Sequence, residues 1–252
     1  MKKIKGFFCD YLPTIIIFLL VIFAYIMGTE KEILDRYLFP TVGEIIESFQ
    51  RYLPKMFLNM FHSFGILIPS VAAGTLVGLL IGLPMGLNRR VRKIFHPIIY
   101  SVSVIPSILL SPFLLHLAPT FRMASIILVF YNFVWAIIFA TINGVMTIEN
   151  SYLDKAKTLQ INGLKRITKV IIPAAMPTIV SGFISSMRAS FIVLVYAEMY
   201  GTEFGMGYFV KWNSDLGRFE HVWSGFIFLS IVLVVVMLIV EKIKNRILKW
   251  AI

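Results

Sequence analysis

Six stretches of this chain are so long and apolar that they constrain the fold before any motif is considered. They run approximately over residues 11–28, 61–87, 94–118, 123–146, 178–200 and 222–240. A bilayer core of about 30 Å takes roughly 20 mostly apolar residues per spanning helix. Hydrocarbon offers backbone N–H and C=O groups no partners, so a spanning segment must satisfy its own, and runs of this length do so as helices. Composition agrees, with 58% of the 252 residues hydrophobic, a mean hydropathy of +0.84 and only 15% charged, against roughly 25% charged in soluble domains. The expected fold is all-α, a polytopic membrane protein of about six helices forming a single domain over 1–252.

The connecting segments carry the orientation. Lys and Arg accumulate on the cytoplasmic side of membrane proteins. If the six helices alternate, sixteen of the 24 basic residues fall on one side, in the N-terminus (Lys2, Lys3, Lys5), the second-to-third link (Arg89 to Lys93), the segment 148–177 and the tail from Lys242. Seven fall on the other side, among them Lys31, Arg51, Arg122 and Arg218, and Arg188 lies inside a run. Both termini are therefore expected inside, and the net charge of +11 is a topology signal that needs no nucleic acid to explain it. The first run, with about 17 apolar residues, exceeds the roughly 7–15 of a signal-peptide core and has no A-x-A-like site after it, so it is expected to stay as a helix. The lone Cys9 precedes that run and has no second cysteine to pair with. Between the first two runs, Val42, Ile45, Ile46, Phe49 and Leu53 fall at helical spacing and predict a short amphipathic helix at the membrane surface.

The segment 148–177 is longer than a turn between antiparallel helices requires. Leu153, Ala156 and Leu159 recur at helical spacing, Asn162-Gly163 offers the residues most tolerant of positive φ, and Leu164, Ile167, Val170 and Ile171 resume an apolar stripe. The pattern predicts helix, turn, helix. Such a basic amphipathic unit either lies on anionic lipid headgroups or serves as a lever for a soluble partner, and periodicity alone leaves both open.

Within the runs, Gly74, Gly78, Gly82 and Gly86 recur every four residues and let another helix approach closely, either within the chain or across a seam between two copies. Pro84, Pro106 and Pro112 are expected to kink spanning helices. Arg188 and Glu198 are the ionisable residues other than His inside the runs, and charge at that depth is costly enough to mark function by default. Both are pathway candidates, with Arg188 suited to attract an anion and Glu198 to line the pathway or to meet the loop GTEFGMGYF; a structural ion pair or a capping role is the alternative. The four histidines are scattered without ligand spacing, so no metal is expected. No G-x-x-x-x-G-K-[ST] occurs. An enzyme within the membrane would need paired acids or a Ser/His constellation, and an ion-coupled secondary transporter would need a relay and an internal repeat; neither pattern is present, and the carrier is the runner-up.

The segment 148–177 resembles the cytoplasmic loop of ABC importer permeases, E-A-A, three residues, Gly, nine residues, then I-x-L-P. Asp154, Lys155 and Ala156 stand at E-A-A, Gln160 at Gly, and Val170-Ile171-Ile172-Pro173 at I-x-L-P, without a gap. The following AAMPTIVSGFISSMRASFIVLVYAEMYGTEFGMGYF resembles the branch of type I importers that includes sulfonate, taurine, nitrate and thiamine-precursor permeases. The resemblance implies a multi-pass subunit of a bacterial inner membrane that pairs with a second copy, two cytoplasmic ATPases and an extracytoplasmic solute-binding protein. No cofactor is expected on this chain, since ATP and Mg belong to the ATPase, and the chain itself is not an enzyme. It further implies a coupling helix seated on the ATPase, with Asp154, Ala156 and Leu159 as the touching residues. Pro173 and Pro177 mark the start of the fifth helix. Lys155 and Gln160 depart from the family pattern. With Gln in place of Gly, the turn is expected to move to Asn162-Gly163 and the first helix of the loop to lengthen by under one turn.

Overall fold

The computed structural model describes the backbone of residues 2–250 and the side chains of residues 12–250. The N-terminal lysines and Cys9 therefore lie outside the described side chains. Helices run in the order α1 (Lys2–Glu30), α2 (Val42–Leu87), α3 (Arg89–Ser103), a 3-10 turn (Ser107–Leu110), α4 (Ser111–Leu117), α5 (Phe121–Met146), α6 (Asn150–Thr158), α7 (Gly163–Arg166), a π-helical turn (Ile167–Ile171), α8 (Ile172–Gly201), α9 (Met206–Asp215) and α10 (Phe219–Ile247). Among the described residues, five helices are long and apolar enough to cross a membrane. The pair Arg89–Ser103 and Ser107–Leu117, bent by 76°, makes a sixth if it is one span.

Three expected boundaries move. The amphipathic stretch from Val42 is not a separate surface helix; it is the first part of the 46-residue α2. Thr41 starts that helix with a capping box, its hydroxyl accepting from the Glu44 amide while the Glu44 carboxylate accepts from the Thr41 amide at 2.7 Å, and nothing after it stops the helix. At 1.5 Å per residue α2 is about 70 Å long, so its opening turns stand clear of the hydrocarbon. The fifth span begins at Gly163 rather than 178, because the π turn carries the helix continuously into α8. The sixth extends to Phe219–Ile247.

The third run is broken. Pro106 has no N–H to give to the Val102 carbonyl four residues before it; the Ile105 amide donates to that carbonyl at 3.2 Å and the Tyr131 hydroxyl at 2.6 Å. The chain bends by 76° into the 3-10 turn and α4 here, so Pro106 terminates a helix rather than kinking one. Pro112 is likewise no interior kink; it sits in the first turn of α4, where a missing N–H leaves no bond unmade. Pro84 remains inside α2.

The core lies between α2, α5 and α8. Ile66, Leu67 and Val71 of α2 pack with Leu128, Phe133 and Ile137 of α5 and with Met187, Phe191 and Leu194 of α8. The glycine face of α2 determines how closely the first two approach. A Cβ on Gly74, Gly78, Gly82 or Gly86 would lie 2.8, 2.6, 2.6 or 2.7 Å from side-chain atoms of Phe133, Ile137, Thr141 or Val145, respectively. Two rows of four-residue spacing thus interlock, one all glycine and one bulky, and the glycine face is filled by this chain's own α5 rather than left for a second copy.

Candidate functional site

The loop joining α5 to α8 presents a short helix held at its base and bare at its tip. Leu153 packs at the edge of the cluster formed by Val145, Ile171, Ala175 and Ile179, and Ala156 is 2% exposed. Ala156 is therefore used up in seating α6 on its own chain, which corrects the expectation that it touches a partner. Leu159 and Leu164 point the other way, 70% and 79% exposed. Asp154 is also exposed, its carboxylate 2.9 Å from the Lys157 ammonium one turn on.

The turn is made at Gln160, where the sequence pattern moved it elsewhere. Gln160 adopts φ 53°, its amide donates to Lys157 O at 2.9 Å, and the Ile161 amide donates to Ala156 O at 2.9 Å. This pair of bonds is the Schellman motif, which usually places glycine at the left-handed position. The first helix is consequently not lengthened: α6 ends at Thr158. Asn162 is extended with φ −118°, and Gly163, with φ 59°, makes a second reversal that starts α7. Pro173 lies in the first turn of α8, just after the π turn.

The membrane charges separate into two kinds. Arg188 of α8 reaches Glu241 of α10 at 3.5 Å, both side chains substantially exposed, so its positive charge already has a partner within the chain. Glu198 is 0% exposed and faces no open space. Its Oε2 accepts from the Gly207 amide at 2.8 Å, in the first turn of α9, where the positive end of a helix favours a carboxylate. Of the two roles open to Glu198, contact with the loop is the one this arrangement contains.

Two residues that the sequence pattern did not single out complete this fastening. Asn59 Oδ1 accepts from the Gly205 amide at 2.9 Å and Ser63 Oγ from the Met206 amide at 3.0 Å, both from α2. Three successive amides of the 205–207 turn are therefore each held by a side chain of α2 or α8. Gly205 has φ 114°, a conformation open to glycine, and a Cβ there would fall on the Glu198 carboxyl group. The available signal was Asn59 and Ser63 one helical turn apart in an otherwise apolar stretch. Below the turn, Met206 and Phe209 of α9 pack with Met56 of α2 and Phe228 of α10.

A family model described as "Binding-protein-dependent transport system inner membrane component" matches residues 74–249. The chain is 25% identical over 215 residues to a putative aliphatic sulfonates transport permease protein of Bacillus subtilis, covering 84% of this chain and 77% of that one. It is 26% identical over 180 residues to a nitrate import permease protein of Leptolyngbya laminosa, covering 71% and 62%. A bicarbonate transport system permease protein of Synechococcus elongatus is 28% identical over 148 residues, 58% of this chain and 50% of that one.

Proposed function

Because the chain belongs to the binding-protein-dependent transport system inner membrane components, the permeases of type I ABC importers, we propose that it forms the solute pathway of an ATP-driven importer and takes up force through α6. It pairs with a second copy, its termini face the cytoplasm, and two separate ATPases carry ATP and Mg. An extracytoplasmic binding protein delivers the solute. ATP-driven closure of the ATPases moves both α6 helices, tilts the bundles and exchanges outward for inward access. The solute class is a small oxyanion: sulfonate, nitrate and bicarbonate, the solutes named for the similar permeases, share a compact, delocalised negative charge.

The observation that carries the coupling role is the division of labour on α6. Ala156 is buried against its own chain while Leu159, next to the capped turn, is 70% exposed. An exposed leucine on a rigid, self-capped helix is a ready anchor for a hydrophobic groove. Docking is carried by Leu159 with Asp154, while Gln160, Asn162, Gly163 and Pro173 shape the helix ends.

Leu159→Glu tests this directly, because the side chain has no packing role in its own chain. Association with the cognate ATPase in a detergent pull-down should fall at least tenfold, equivalent to about 1.4 kcal/mol, with membrane insertion and pairing of copies intact. Unchanged association and transport would remove α6 as the coupling element. Solute uptake by this chain alone down an ion gradient would instead make it a carrier.

A further inference from the structure

At the end of the bundle that bears the 202–207 turn, α2, α5 and that turn enclose a recess of about 250 Å³. His62 and Ile66 of α2, Phe121 and Arg122 of α5, and Thr202 to Phe204 line it. One of these groups, Arg122, is cationic, and its arrangement is specific. Pro69 has no N–H for the Gly65 carbonyl, four residues earlier on α2, and Arg122 Nη2 donates to that carbonyl at 3.2 Å. The guanidinium can lie so close to the helix because residue 65 is glycine; a Cβ there would stand 2.7 Å from Nη2.

The Arg122 side chain is thus anchored through one of its five N–H donors, and this is its one side-chain hydrogen bond among the described residues. None of the ion pairs among the described residues includes it, although Glu203 is on the rim of the same recess. The remaining donors form a planar fork suited to oxyanion oxygens. Opposite, the His62 ring stacks on Phe204, centroids 4.7 Å apart and 19° from parallel. That stack fixes the imidazole as a further polar contact at the wall. Arg188, by contrast, is already matched by Glu241.

We propose that this recess is an oxyanion-binding station at the outer mouth of the pathway, with Arg122 as the anion-binding group and His62 as a second contact. It rests on the reading of the chain as an importer of small oxyanions and on the charge asymmetry that places this end outside the cell. The station takes a sulfonate, nitrate or bicarbonate group as it leaves the binding protein. Glu203 sets an upper limit on how tightly the anion is held, which suits a site that must also release it.

Methanesulfonate is the probe, because its methyl protons report binding by saturation-transfer NMR. The full chain is held in lipid nanodiscs in a low-salt Tris chloride buffer, free of carboxylate, sulfonate and phosphate buffer anions. Saturation transfer should appear, be competed by nitrate, and fall at least fivefold in Arg122→Gln and in Gly65→Ala, which displaces the guanidinium without removing it. Glu203→Gln should strengthen it about twofold. Arg36→Gln, an equal charge change on the same side, should leave it unaltered.

No signal in the unmodified chain, or an equal fall in Arg36→Gln and Arg122→Gln, would overturn the station. Sulfonate uptake by the complete transporter together with a flat signal would overturn the station alone. Specific binding without ATP-dependent uptake would retain the station and remove the importer reading on which it rests.

Discussion

The two short helices that interrupt the membrane pattern, α6 and α9, are held in opposite ways. The entry to α9 is fixed from outside itself: Asn59, Ser63 and Glu198 each accept from one of three consecutive amides, and Met206 and Phe209 are buried beneath. The exit of α6 is fixed from within, by two bonds between its own last turn and residues 160–161, and it leaves Leu159 and Leu164 in the open. A turn clamped by its neighbours moves only when they move. A self-capped helix with bare leucines keeps its shape while a partner shifts it as a unit, as a lever requires.

The clamp should fail most severely at Gly205. Gly205→Ala forces a side chain into φ 114°, a strain of about 1–3 kcal/mol, and drives its Cβ into the Glu198 carboxyl, adding a similar amount for overpacking. A total of about 4 kcal/mol lowers the apparent melting temperature in detergent by about 8–16 °C. A shift of under 2 °C would mean the turn is free to rearrange and the contrast with α6 is empty. Asn59→Ala is the milder break. It leaves the buried Gly205 amide without its acceptor, at about 1–3 kcal/mol, and should cost about 4–8 °C for a loss near 2 kcal/mol; the same substitution should leave ATPase association untouched.

The uneven legibility of these features has physical reasons. Runs of about 20 apolar residues allow one solution in a bilayer, so the all-α spanning fold was written in composition and length. The extent of α2 was not, because the stripe Val42 to Leu53 looks the same whether the helix stops or continues, and only the absence of a break decides. Pro106 marked a break near the end of α3, but the partner that satisfies the Val102 carbonyl, Tyr131, stands 29 residues beyond it, a distance local reading does not cross. Glu198 was visible as a charge at membrane depth, but its partner is an amide that returns through the Gly205 turn. The loop between α5 and α8 was legible as helix, turn, helix, and its spacing placed Gln160 at the turn position of the family pattern. What propensity got wrong was the assumption that Gln would decline a left-handed conformation that two hydrogen bonds enforce.

That last point yields the smallest and most local test. Gln160 holds φ 53°, which costs a residue with a Cβ about 1–2 kcal/mol, so Gln160→Gly relieves strain in the capped turn. Glycine also loses more backbone freedom on folding, offsetting about 0.5–1 kcal/mol of the gain. The net, about 0.5–1 kcal/mol in favour of the substituted turn, should slow hydrogen exchange of the Ile161 amide, which bonds Ala156 O, about two- to fivefold. The amides of Gly205, Met206 and Gly207 should exchange as before, since their acceptors belong to α2 and α8. Faster exchange at Ile161 would mean that the Gln160 side chain itself supports the turn. Slowing at both ends would mean that α6 and the 205–207 clamp are energetically joined in the isolated chain, and the difference between a self-capped helix and a neighbour-held clamp would disappear.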